Sequence, residues 1–119
     1  MTKIAPDAAD LLERDLQRHV RAFATSLGWR VQVAWTSIHS PRGWPDLTCY
    51  RPHPSQPGVG EMVYIELKRE KGKTTEPQDW WLAALATVPG TKWAGVIRPS
   101  DWYAGARSSS SIRVLAVDC

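Results

Sequence analysis

The chain has 119 residues, 43% of them hydrophobic and 23% charged, with a formal net charge of +3 and an isoelectric point near 9.1. That length fits one domain around one core, and the composition argues against a disordered chain. No apolar run approaches the roughly 20 residues of a spanning helix, so no membrane partner is expected, and the mild basic excess suits a polyanionic partner without the charge density of a histone-like protein.

The segment from Met1 to Pro6 has one lysine and no long apolar stretch after it, which argues against a secretory signal and makes the cytoplasm the expected location. From Asp7 to Leu27 the residues Leu12, Leu16, Val20, Phe23 and Leu27 recur at helical spacing, and Gly28 supplies a C-terminal cap. Trp29, Val31, Val33 and Trp35 then alternate with more polar neighbours, the period of an edge or half-buried strand. Residues 36–45 read as a loop into a second strand at Asp46 to Tyr50, and Arg51 to Gly60 as another loop. Met62 to Leu67 is apolar until Glu66, as expected of a central strand. Arg69 to Thr74 is a basic connection. Thr75 is the N-cap of a helix that tolerates Pro77 in its first turn and ends before Pro89-Gly90. Trp93 to Ile97 is a further strand, Pro99 to Tyr103 a short helix or turn, and Ile112 to Val117 a final strand. The Ser-rich stretch within 104–111 is expected to be mobile. The order is α-β-β-β-α-β followed by a variable tail, with no internal repeat.

Cys49 and Cys119 have neither CxxC spacing nor a neighbouring histidine cluster, so no zinc site or disulfide framework is expected. Seven tryptophans are many for this length. Packing is the expected use of most, with base stacking a further use.

The residues that carry chemistry are Asp46, Glu66 and Lys68. Hydrolysis of a phosphodiester calls for a hard cation, and Mg²⁺ takes carboxylate oxygens while keeping several waters. Asp46 opens one strand and Glu66 lies near the end of the next, so antiparallel pairing brings the two carboxylates together. Lys68, two residues past Glu66, lies on the same face, where a cation would orient the attacking water or offset transition-state charge. The backbone carbonyl of Leu67 is a further candidate ligand. A Glu-x-Lys triplet alone is weak, and an intrastrand ion pair at a strand terminus accounts for it equally well.

Gly43-Trp44-Pro45-Asp46, then Ile65-Glu66-Leu67-Lys68, then a helix opening with Glu76-Pro77-Gln78 resemble the PD-(D/E)xK nuclease superfamily, and more narrowly the stand-alone VRR-NUC domains of phages and bacteria. The resemblance runs from Glu13, in the pattern Glu13-x-x-x-Gln17, to about Tyr103, and takes in Arg98-Pro99-Ser100-Asp101 after a later strand. It implies a restriction-endonuclease-like core, a mixed four-stranded sheet flanked by helices. It also implies Mg²⁺- or Mn²⁺-dependent cleavage of DNA leaving a 5′-phosphate. By the same resemblance Asp46 and Glu66 bind metal, Lys68 is the catalytic lysine, Glu13 is a helix-borne acid near the metal, and Gln78 faces the site. Members of this form are similar to Holliday-junction resolvases, which implies a homodimer. Trp44 departs from the smaller aliphatic usual after Gly43, and would either stack on substrate or wall the pocket.

Secondary residues have plainer readings beside these. Glu13 follows Asp10 at capping-box spacing, and Gln78 follows Thr75 in the same way. Arg69, Lys71 and Lys73 would contact phosphates or form a solvated turn, and Arg42 and Ser40 would hydrogen-bond the substrate backbone. His39 lacks a visible partner and is assigned no catalysis. The expectation is an α/β, structure-directed DNA endonuclease, since so short a chain leaves little room for base-reading elements. The alternatives are a site-specific restriction-type enzyme, a DNA-binding or assembly module without turnover, and an unrelated α/β domain with surface charges.

Overall fold

The computed structural model describes residues 13–34, 40–102 and 110–116. Helix α1 (Glu13–Ser26) leads to strand β1 (Arg30–Val33), then β2 (Leu47–Pro52), β3 (Gly60–Leu67), helix α2 (Glu76–Ala86), β4 (Thr91–Ile97) and helix α3 (Ser110–Ala116), with a helical turn at 99–102 after β4. The four strands form one sheet in the order β1-β2-β3-β4. The first three are antiparallel neighbours, while β4 runs parallel to β3, so the sheet is mixed. The parallel pair follows from its connection, since α2 is the crossover that a parallel neighbour requires.

Leu16, Val20 and Ala24 of α1 are fully buried, with Phe23 and Leu27 packed beside them. The expected helix thus stands where described, and its start at Asp7 to Leu12 lies outside the described residues. It ends in a Schellman motif, in which Gly28 (φ +91°) donates to Thr25 O at 3.1 Å and Trp29 N–H to Ala24 O at 3.1 Å. Beneath α1 lie Leu47 and Cys49 of β2 and Val63, Ile65 and Leu67 of β3, all in one core. They share a face because strand side chains alternate and the register sets Leu47 opposite Ile65 and Cys49 opposite Val63. Burial pushes the Cys49 thiol up to about 12, as expected of a packing residue. The opposite face carries Thr48, Met62, Tyr64 and Glu66, and α2 reaches it through Gln78 and Trp81.

One expectation at the tail changes. Ile112 to Val117 does not form a strand: residues 110–116 are helical. The β-branched residues there read as strand locally, but Leu115 is fully buried in the core and its carbonyl accepts the Trp29 indole N–H at 2.8 Å. The last turn of a helix leaves carbonyls without an intrahelical partner, and Trp29 meets one of them. The Ser-rich segment expected to be mobile reaches into this helix, with Ser110 and Ser111 in its first turn. The rest of that segment, at 104–109, lies outside the described residues, as do His39, Trp35, Tyr103 and Cys119. Among the described residues no helix is long and apolar enough to cross a membrane.

Candidate active site

The site forms where β2 begins and β3 ends. Leu47 opposes Ile65, so one residue further out Asp46 comes beside Glu66 on the face away from α1. Asp46 replaces part of the strand ladder, because its Oδ2 accepts the Leu67 N–H at 2.8 Å while its own carbonyl accepts the Ala34 N–H at 2.7 Å. The Leu67 peptide is therefore anchored beside the Asp46 carboxylate. On the other side, Lys68 N–H donates to Ile97 O at 3.2 Å, which extends the pairing with β4 by one residue and fixes where Lys68 leaves the strand.

Glu66 is only 3% exposed. Its pKa rises from the ordinary 4.5 to about 8, first through burial, then through the charge of Asp46 and a hydrogen bond shared with it, with Glu13 adding repulsion and Lys68 opposing the shift. Glu13 on α1 and Lys68 thus act on Glu66 through charge, while only Asp46 and Glu66 line the same cavity. The Glu13 cap by Asp10 lies outside the described residues.

Gln78 joins them through the start of α2. Its backbone N–H donates to Thr75 Oγ1 at 3.4 Å and its side-chain Oε1 accepts the Thr75 N–H at 2.8 Å, completing a capping box. The same amide's Nε2 donates to Glu66 Oε2 at 3.0 Å. An amide carries both an acceptor and donors, so one side chain caps the helix and holds the acid.

The loop before β2 is pressed onto this helix at Gly43. Its φ is +85°, and a Cβ there would lie 2.5 Å from the backbone carbon of Pro77, so only glycine fits without displacing one of the two backbones. The Trp81 indole N–H donates to Arg42 O at 3.1 Å, a second tie between the same loop and helix. Between them opens a cavity of about 440 Å³ whose described lining is Ser40, Arg42, Trp44, Asp46, Glu66 and Gln78, together with Ala34, Pro41 and Gly43. Ser40 and Arg42, expected at the substrate backbone, thus share the carboxylate cavity.

Arg69, Lys71 and Lys73 do not line it. They are exposed on the connection after β3, and Arg69 and Lys71 border a separate cavity of about 410 Å³. That connection is held by Arg98, whose Nη1 donates to Arg69 O at 2.9 Å, Glu70 O at 3.3 Å and Gly72 O at 2.6 Å. Glu70 Oε1 in turn accepts the Ser100 N–H at 2.8 Å, and Asp101 Oδ2 the Arg98 N–H at 2.8 Å. Motif spacing singles out Arg98 to Asp101 but not this clamping role, nor does it find Trp81 and Tyr64 beside the site; both depend on contacts between distant segments.

The donor set suits a hard cation. Glu66 Oε1 is buried with no hydrogen-bond partner among the described residues, and such an oxygen is costly unless something positive meets it. Two facing carboxylates match what Mg²⁺ asks of a protein, since it keeps much of its water shell. Among the described residues no group of three or more His, Cys, Asp or Glu side chains that could hold a metal ion is gathered, so the side-chain donors here are the two carboxylates. Fold and site together define an α/β domain with a mixed four-stranded sheet and a buried acidic pair at its strand ends. Comparison of the chain with protein families, curated proteins and solved structures finds no match.

Proposed function

We propose that the chain is a Mg²⁺- or Mn²⁺-dependent endonuclease that hydrolyses DNA phosphodiester bonds at the Asp46–Glu66 site. The observation that carries this reading is the buried Glu66 carboxylate, one oxygen of which has no hydrogen-bond partner among the described residues, set beside a second acid in an open cavity. Asp46, Glu66 and the carbonyl of Leu67 would hold the ion, which supplies Lewis-acid polarisation of the phosphate and acidification of water. Gln78 fixes Glu66 for that task through its 3.0 Å hydrogen bond. Lys68 places an ammonium group near the carboxylates, where it orients the attacking water and offsets charge on the phosphoryl oxygens. Arg42 and Ser40, on the cavity wall, bind the phosphate backbone. The water oxygen bonds to phosphorus as the P–O3′ bond breaks, leaving a 5′-phosphate and a 3′-hydroxyl. A branched or otherwise structured DNA is the favoured substrate, handled by a homodimer, as the resemblance to VRR-NUC domains implies.

The test is cleavage of labelled linear, flapped and four-way-junction DNA by the wild type and Lys68→Ala in Mg²⁺, Mn²⁺ or EDTA. Metal-dependent cutting that falls about 100-fold or more in the variant is expected, the usual size of losing one transition-state charge stabiliser. Wild-type binding without cutting in any metal would replace the enzyme with a DNA-binding module.

A further inference from the structure

Trp80 is 62% exposed, an unusual setting for the largest apolar side chain. It is the outer member of a chain of edge-on aromatic contacts that begins in the sheet. Tyr64, two residues before Glu66 on the same face of β3, meets Trp44 with ring centroids 6.0 Å apart; Trp44 meets Trp81 at 4.9 Å, and Trp81 meets Trp80 at 5.0 Å. The Trp81–Arg42 hydrogen bond and the Gly43–Pro77 packing hold the middle of this chain to the loop that carries Arg42. Beside Trp80 lies an open cavity of about 520 Å³ lined by Arg42, Glu76, Pro77, Trp80 and Trp81. Arg42 lines this cavity and the carboxylate cavity alike, so the two are neighbours across one guanidinium-bearing residue.

We propose that this aromatic shelf is a binding site for an unpaired nucleobase next to the cleaved bond, stacked on Trp80 with the adjoining phosphate at Arg42. The proposal rests on the hydrolase reading for its phosphate, and it narrows the substrate to DNA with single-stranded character at the cut. An indole face accepts any base, but a base offers its own face only when it is unstacked and unpaired. Glu76 on the same cavity repels phosphate, which leaves Arg42 for the backbone and the indole for the base. A purely apolar contact with a second protein would leave both charges in the cavity without a use.

The test measures anisotropy of the full chain in EDTA, where no turnover occurs, with a short labelled single strand and a blunt duplex of the same sequence. Trp80→Ala is expected to weaken single-strand binding about 5-fold or more, with Trp80→Phe restoring most of it and duplex binding unchanged. An unchanged single-strand affinity, an equal loss on duplex, or no wild-type binding overturns the shelf. A loss that tracks conversion of a dimer to a monomer in sedimentation also overturns it and makes the surface a self-interface. Wild-type cleavage is scored separately. Cutting without a Trp80 effect leaves the hydrolase reading standing, whereas Trp80-dependent binding without any cutting keeps the shelf and removes the enzyme.

Discussion

Strand β3 buries a glutamate near each end, Glu61 and Glu66, both 3% exposed, and the fold treats them in opposite ways. Glu61 is on the core side, one residue from the strand's start, faced by two cations and an imidazole. Arg51 Nε donates to its Oε2 at 2.9 Å, and His53 Nε2 and Lys92 Nζ stand 3.9 Å from its Oε1. Arg51 and Lys92 are themselves stacked over the Trp29 ring, at 4.3 and 5.9 Å. Glu66, on the other face, meets a second acid instead, and one of its oxygens finds no partner among the described residues. Equal burial therefore carries different meanings. A buried acid matched by cations holds structure together, and one set against another acid is where the proposed function would place an added cation.

Exchanging each glutamate for its neutral isostere would break the comparison most directly. Glu66→Gln is expected to abolish metal-dependent cleavage, by about 1000-fold or more in kcat, while the metal-free protein melts no lower than wild type. Glu61→Gln should do the reverse, costing about 3–5 kcal/mol in denaturant unfolding because it strips the central anion from buried cations. Equal melting losses in the two variants would mean that both glutamates serve the same structural role.

Gly43→Ala probes the coupling of the acidic end to α2. Its Cβ would meet the Pro77 backbone at 2.5 Å in a left-handed conformation, so a loss of about 1–3 kcal/mol is expected. Weaker binding of Mn²⁺ should accompany it, as Gln78 is displaced from Glu66; denaturant unfolding reads the first and calorimetric titration the second.

The smaller effects concern protons. Because the Glu66 pKa is raised to about 8 from 4.5, the folded metal-free chain keeps a proton that the unfolded chain has released between those values. Stability from this group is therefore fully present below about pH 4.5 and is lost as pH rises through about 8. The wild type minus Glu66→Gln difference in melting temperature should fall across that window, and a flat difference would contradict the shift. For the same reason Mn²⁺ binding must expel that proton, so its apparent affinity should rise by roughly tenfold per pH unit below pH 8 and level off above it.

Much of this site is legible in the chain itself. The Thr75-to-Gln78 spacing announces a capping box that forms as expected, and strand alternation puts Glu66 and Lys68 on one face. The antiparallel pairing of β2 and β3 follows from where charge enters each apolar run. Glu61 is the counterexample. It stands in sequence as one charge at a strand start, and nothing nearby announces that Arg51, His53 and Lys92 will converge on it from two other segments.

Periodicity and caps that act within a few residues already fix the α/β class, the order of elements through β4, and the acids at the strand ends. That residues 110–116 are helical, that Gly43 locks onto Pro77, and that Gln78 spans cap and carboxylate depends on the folded chain as a whole. So does the difference in charge environment between two glutamates of one strand. Such outcomes depend on which distant groups share a buried volume, where local propensity is outweighed by packing and by the cost of leaving a polar atom unmet.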